Sequence, residues 1–206
     1  MSRPEWIYLA SQSPRRRQLL AQIGLRHELL LPDAEEDAEA LEASRPGEAA
    51  EDYVQRVTRA KLEAARLRWQ RRGLPAAPIL CADTTVVLDE QMLGKPADDA
   101  EAAQMLQRLS GRSHRVLTAV ALLESPHPAF APRCVLQAST VRFAAVDTDE
   151  IVRYVASGES QGKAGAYAIQ SQAAAWIEHL EGSYSGVMGL PLHETAQLLR
   201  GIGWQL

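Results

Sequence analysis

Apolar residues along the chain cluster with two different spacings, and these predict strands interleaved with helices. Trp6 to Ala10 is a short run carrying Trp, Ile and Tyr, which predicts a strand. From Arg15 to Ile23, residues Leu19, Leu20 and Ile23 share one helical face, and Gly24 stands where such a helix stops. His27 to Leu31 predicts a second strand, and the acidic stretch Asp33 to Glu42 a loop. Gly47 to Arg72 predicts a long helix, because Ala50, Tyr53, Val54, Val57, Ala64 and Leu67 keep helical spacing. Its arginine-rich end, Arg66 to Arg72, suits the negative pole of a helix dipole. Gly73 to Pro78 holds two prolines and is the best candidate for a boundary between lobes.

Ile79 to Ala82 reads as a short buried strand, Val86 to Leu88 continues the extended pattern, and Asp89-Glu90-Gln91 reads as a turn. Asp98 or Asp99 opens a helix carrying Ala102, Met105, Leu106 and Leu109, closed by Gly111; Asp98 with Glu101 resembles a capping box. Strands follow near Arg115 to Leu123 and Val135 to Ala145, joined by the proline-rich loop Ser125 to Pro132. Asp147 and Glu150 frame another helix start, and that helix runs to about Ala156. Ala173 to Leu180 predicts a strand, Gly182 to Gly189 a glycine-rich loop, and Pro191 to Leu199 a last helix. The order implies an α/β or α+β fold around a mixed sheet.

Composition narrows the class. The 206 residues are 46% hydrophobic and 23% charged, which excludes a disordered chain. A net charge of −4 argues against a bulk electrostatic grip on a nucleic acid polymer or an anionic membrane. No apolar run approaches the roughly 20 residues that span a bilayer. The start, Met1 to Trp6, lacks the build of a signal peptide. Cys81 and Cys134 form no metal or redox spacing, so a reduced, cytoplasmic setting is expected.

Five places carry candidate chemistry. In Ser11-Gln12-Ser13-Pro14-Arg15-Arg16-Arg17, Ser13 suits an N-cap and Pro14 a first helical position. The arginines then face the positive end of the dipole, which is unfavourable unless an anion sits there. Free N–H groups and guanidinium forks suit a phosphate; the plain alternative is a solvated basic turn. In Cys81-Ala82-Asp83-Thr84-Thr85-Val86, Asp83 interrupts an apolar stretch. It either pairs with a cation or lies at a strand end in a cleft; its functional reading is a metal ligand or general base, and the plain one is the cap of a turn through Thr84 or Thr85. Lys95, in Leu93-Gly94-Lys95-Pro96, is a point charge for a phosphate or merely solvated. Lys61 lies on the apolar stripe of the long helix and either snorkels or delivers a charge to a cleft. The fifth place joins Lys163-Ala164-Gly165-Ala166-Tyr167-Ala168-Ile169-Gln170 to the loop Gly182 to Pro191. Its small residues allow close backbone approach, and the Gln170 amide has the donor and acceptor that read a pyrimidine edge. No Walker sequence, nucleophile elbow or zinc spacing is present.

Taken together and in order, these motifs closely resemble the Maf proteins, small nucleoside triphosphate pyrophosphatases of bacteria and eukaryotes. The resemblance runs from Leu9 to about Leu199. Its carriers are Leu9 to Arg16, Ala82 to Val86, Gly94-Lys95-Pro96, Lys163 to Gln170, and Gly182-Ser183-Tyr184 through Leu192. The Lys163 to Gln170 and Gly182-Ser183-Tyr184 segments look like the branch that hydrolyses dTTP and UTP, not the sister branch preferring 7-methyl-GTP. Gln12, where a small residue is usual, and Ser171, where Gly is common, depart from the pattern.

The resemblance implies one Maf-like unit over 1–206, an elongated α/β fold of two lobes around a central cleft, similar to the inosine-triphosphate pyrophosphatase group. It implies cleavage between the α and β phosphates by water, with Asp83 as the catalytic aspartate that orients or deprotonates the water. Ser13, Arg15, Arg16, Lys61 and Lys95 would hold the phosphates. Arg15, Thr84 and Gln170 match positions tied to base specificity. Asp83, with Glu36 or its neighbour Glu35, would bind a divalent cation, Mg²⁺ or Mn²⁺. A homodimer is common in such families. A nucleotide-binding regulator of septum formation, without significant catalysis, is the implied alternative from another class.

Overall fold

A computed structural model describes residues 5–37 and 40–206. The start at Met1 to Pro4 and two positions of the acidic loop, 38 and 39, lie outside the described residues. The chain opens with β1 (Ile7–Leu9), α1 (Pro14–Gln22) and β2 (His27–Leu29), and a 3-10 turn at Ala40–Glu42 precedes α2 (Ala50–Arg71). Next come β3 (Ile79–Leu88), β4 (Gln91–Leu93), α3 (Asp99–Leu109), β5 (Ser113–Leu123) and β6 (Arg133–Phe143). The chain ends with α4 (Thr148–Ala156), β7 (Ile177–Glu181), α5 (Tyr184–Val187) and α6 (Leu192–Gly201).

The described strands form one mixed sheet in the order β2-β1-β3-β5-β6-β7, with β4 also on β3. β1 runs parallel to β2 and β3, and the remaining pairs are antiparallel. Several helix ends are fixed by side chains: Asp98 accepts from Glu101 N, and Asp147 from Asp149 N. Such bonds satisfy otherwise orphaned N–H groups, which is why short polar residues mark these starts.

β3 is a single ten-residue strand, not two pieces, and it runs straight through Asp83. Its alternation feeds two faces. Ile79, Cys81 and Val87 meet α2 through Leu62, Ala65, Ala50 and Val54. On the other face, Leu80 and Ala82 pack with Leu19, Leu20 and Leu199, while Val86 and Leu88 pack with Met105, Leu106 and Ile151. Each fully buried aliphatic side chain contributes about 1.5–3 kcal/mol. Thr84 and its partner Thr118 sit at the seam between these two apolar clusters. Asp83 occupies the matching break on the α2 face, between Cys81 and Val87.

Pairing along β3 explains why that seam is open. β5 takes one edge of β3 along nearly its whole length. On the opposite edge β1 reaches only Ile79 and Leu80, and β4 begins at Val86. Among the described residues, Cys81 to Thr85 therefore has no strand neighbour on that side. Two sequence expectations change here. Leu67 is exposed, because the buried stripe of α2 turns through Val54, Val57, Leu62 and Ala65. Gly73 to Pro78 is not a free linker: Tyr8 Oη and Trp69 Nε1 both donate to Pro75 O, and Ala77 is buried.

Candidate active site

A cavity of about 590 Å³ opens over the unpaired edge of β3. On the α2 side, Lys61 Nζ donates to Asp83 Oδ1 at 2.5 Å and to Glu42 Oε1 at 2.7 Å. Lys95 Nζ donates to the other Glu42 oxygen at 2.8 Å. Lys95, Glu42, Lys61 and Asp83 thus form a row of alternating charge. Burial opposes the Lys61 ammonium, but the Asp83 and Glu42 carboxylates outweigh it and hold the lysine above its ordinary range. Burial likewise pushes the Glu42 carboxyl up, and the two ammoniums overcome it, leaving Glu42 more acidic than usual. Lys61 and Glu42 are therefore both charged at neutral pH. Tyr53 Oη donates to Glu42 O at 2.9 Å and Arg56 Nη2 to Ala43 O at 2.9 Å, so α2 grips the Glu42 turn by its backbone.

The other flank is built by α1 and the glycine-rich loop before α6. Ser13 Oγ caps α1 by accepting from Arg16 N. Arg16 is held at each nitrogen: Nε donates to Gly189 O at 2.7 Å, Nη1 to Ser11 Oγ at 3.1 Å and Nη2 to Thr84 Oγ1 at 3.4 Å. Thr84 Oγ1 lies 2.9 Å from Thr118 Oγ1, which donates to Gly186 O. Arg15 is tethered by Nε to Met188 O at 3.4 Å. Burial and the neighbouring Arg16 charge push its guanidinium below the ordinary range, as happens when cations crowd together.

The sequence model of the family described as Maf-like protein matches residues 6–202. The chain belongs to the Maf family. Its curated relatives include a "dTTP/UTP pyrophosphatase" of Albidiferax ferrireducens, 60% identical over 98% of this chain and 99% of the relative. A protein of the same name from Burkholderia orbicola is 61% identical over 94% of this chain and 91% of its own length. Another, from Cupriavidus metallidurans, is 60% identical over 96% of each. Among solved structures, that of the Staphylococcus aureus Ham1 protein aligns over 95% of this chain and 98% of its own, at 12% identity and a TM-score of 0.47.

In this Maf chain, Ser13, Arg15, Arg16, Lys61, Asp83, Thr84 and Lys95 line one cavity. Three expected residues behave differently. Glu36 lines the cavity, but Arg68 Nε and Nη2 take its oxygens at 2.9 and 2.6 Å, and Arg71 adds a bond at 2.6 Å. The Arg68 guanidinium holds the Glu36 carboxyl down to about 2. The glutamate that reaches the Lys61–Asp83 pair is Glu42, not Glu36, and Glu35 has no part in the lining. Gln170 is exposed and outside the lining, although Ala168 and Ile169 before it are buried. Arg17 is exposed and outside it too. Sequence reasoning missed Glu42, Tyr53 and the lining role of Lys163. The one available signal for Glu42 was its place in the acidic stretch Asp33 to Glu42 that also supplied Glu36.

Proposed function

We propose that this chain is a nucleoside triphosphate pyrophosphatase acting on dTTP and UTP, releasing the monophosphate and pyrophosphate. The observation that carries the reading is the charge row Lys95–Glu42–Lys61–Asp83 facing Arg15 and Arg16 across one cavity. The names of the relatives, about 60% identical over nearly their whole length, support the substrate class.

Water attacks the α-phosphorus, and the bond to the β-phosphate bridging oxygen breaks. Such transfers need positioning and charge neutralisation more than covalent help. Asp83 is 8% exposed and stands at the unpaired strand edge, where it accepts the proton of the attacking water. Lys61 holds the Asp83 carboxylate in place through its bond to Oδ1. Arg15 and the fixed Arg16 receive the phosphate oxygens, while Thr84 shapes the floor.

A divalent cation suits the donor set. Asp83 and Glu42 present hard carboxylate oxygens to one ammonium, and Mg²⁺ commonly binds through one or two carboxylates plus substrate phosphates. Among the described residues no group of three or more His, Cys, Asp or Glu side chains forms a self-sufficient metal cage. When bound there, Mg²⁺ or Mn²⁺ supplies Lewis acidity toward the phosphate oxygens. No described helix is long and apolar enough to cross a membrane. A two-lobed Maf unit over 1–206, in the cytoplasm and as a homodimer, is the setting this reading carries.

The test is a pyrophosphate-release screen of dTTP, UTP, CTP and 7-methyl-GTP with Mg²⁺ and with Mn²⁺. Release from dTTP and UTP is expected, and Asp83→Asn should lower kcat by about 100-fold or more in a folded protein. Preference for 7-methyl-GTP overturns the substrate class. Binding of UTP with no release in any metal overturns the enzyme reading in favour of a regulator.

A further inference from the structure

The cations of the cavity differ in what already neutralises them. Lys61 and Lys95 share Glu42, Lys61 also holds Asp83, and Arg68 holds Glu36. Arg15, Arg16 and Lys163 also line the cavity, and among the described residues none of them makes a salt bridge, although the Glu159 carboxylate is near enough to act on Lys163. Uncompensated charge therefore gathers on the flank away from α2. An anion entering the cavity gains most there, because no existing ion pair must be opened first.

We propose that Lys163 is a third substrate cation, acting with Arg15 on the polyphosphate of the ligand. This rests on the pyrophosphatase reading for its substrate and goes beyond it in naming the residue. The backbone around Lys163 is set rigidly for such a task. Gly165 N donates to Gly94 O at 3.0 Å, and Ala166 N donates back to Lys163 O at 3.0 Å. Gly165 has φ +67°, and a Cβ there would stand 2.9 Å from Val86 Cγ2. Ala166, fully buried, also has positive φ, a conformation unfavourable for a residue with a Cβ. Two successive left-handed residues turn the chain so that half-buried Lys163 borders the cavity beside the Arg15 charge. Lys163 Nζ donates to Glu159 O. That bond anchors the side chain and leaves the other ammonium hydrogens for a ligand.

The anchoring bond also defines the competing role, a structural tie with no ligand. Lys163→Gln keeps a donor for Glu159 O and removes the charge; Lys163→Arg keeps both. The probes are inorganic tripolyphosphate, followed by calorimetry, and dTTP turnover. A charge-assisted bond predicts that Lys163→Gln weakens tripolyphosphate binding and raises KM for dTTP by about tenfold. Lys163→Arg should recover most of both. If Lys163→Gln binds tripolyphosphate and dTTP like the unaltered chain, while Arg15→Gln does not, the proposal is overturned. A chain that releases no pyrophosphate from any nucleotide sinks the pyrophosphatase reading alone, because tripolyphosphate binding still decides the role of Lys163.

Discussion

Two glutamates close in sequence have opposite fates. Glu36 is bound by two guanidiniums, one of them on the buried Arg68, which also donates to Leu30 O. Its work is to neutralise a buried cation. Glu42 lies between two ammoniums that face the cavity. Glu42→Gln should therefore lower kcat by about 10-fold or more, with little change in melting temperature. Glu36→Gln should instead lower stability by about 1–3 kcal/mol, since it weakens charge-assisted bonds to a buried arginine. The reverse pattern, turnover lost in a folded Glu36→Gln and kept in Glu42→Gln, would return Glu36 to the metal site. Sequence could not separate the two, because both lie in one acidic loop. The partners of Glu42 are 19 and 53 residues away, and only the fold brings them in. Asp83 was legible for the opposite reason: a carboxylate amid buried residues demands a partner wherever it lies.

Element ends were legible where the determining contact is local. Ser13, Asp98 and Asp147 all cap the helices they were expected to cap. Element interiors were misread where a tertiary contact overrides the local pattern. Ala173 to Leu180 begins instead as a 3-10 turn, Gln172–Trp176, and only then enters β7. Trp176 is drawn inward, with its ring 4.8 Å from Tyr154 and its Nε1 donating to Glu150 Oε1. The expected break in β3 at Asp83 fails similarly, because Lys61 makes the buried carboxylate tolerable and β5 pairs straight past it. The turn at Gly165 is the element most exposed to a single methyl group. Gly165→Ala adds a Cβ in a left-handed conformation against Val86. It should destabilise the fold by about 2–4 kcal/mol. It should also raise KM, since the turn carries Lys163. Equal denaturation midpoints for the two proteins would show that the turn yields without strain.

At the scale of the whole molecule, net charge alone describes the ligand poorly. A chain of net charge −4 still concentrates uncompensated cations in one cavity. The same separation of buried from exposed ionisable groups governs its response to acid. His114 is buried in β5, its Nε2 lies 2.7 Å from Tyr167 Oη, and Phe143 of β6 stands edge-on at 5.1 Å. It joins two central strands to the turn that carries Lys163. Burial lowers the imidazole from 6.5 to about 4. Between those values the unfolded chain takes up a proton that the folded chain refuses, so falling pH favours unfolding. The contribution of His114 is complete above pH 6.5 and gone near pH 4, and it is worth up to about 3 kcal/mol. The carboxylates held by guanidiniums, led by Glu36 at about 2, act in a lower window, as pH falls below 4.5. Urea denaturation at steps from pH 7 down to about 2 should therefore show an early loss that is shallower in His114→Gln, followed by a later loss common to both proteins. Parallel curves over the whole range would mean that His114 takes its proton without unfolding, and that the aromatic cluster around it opens to water.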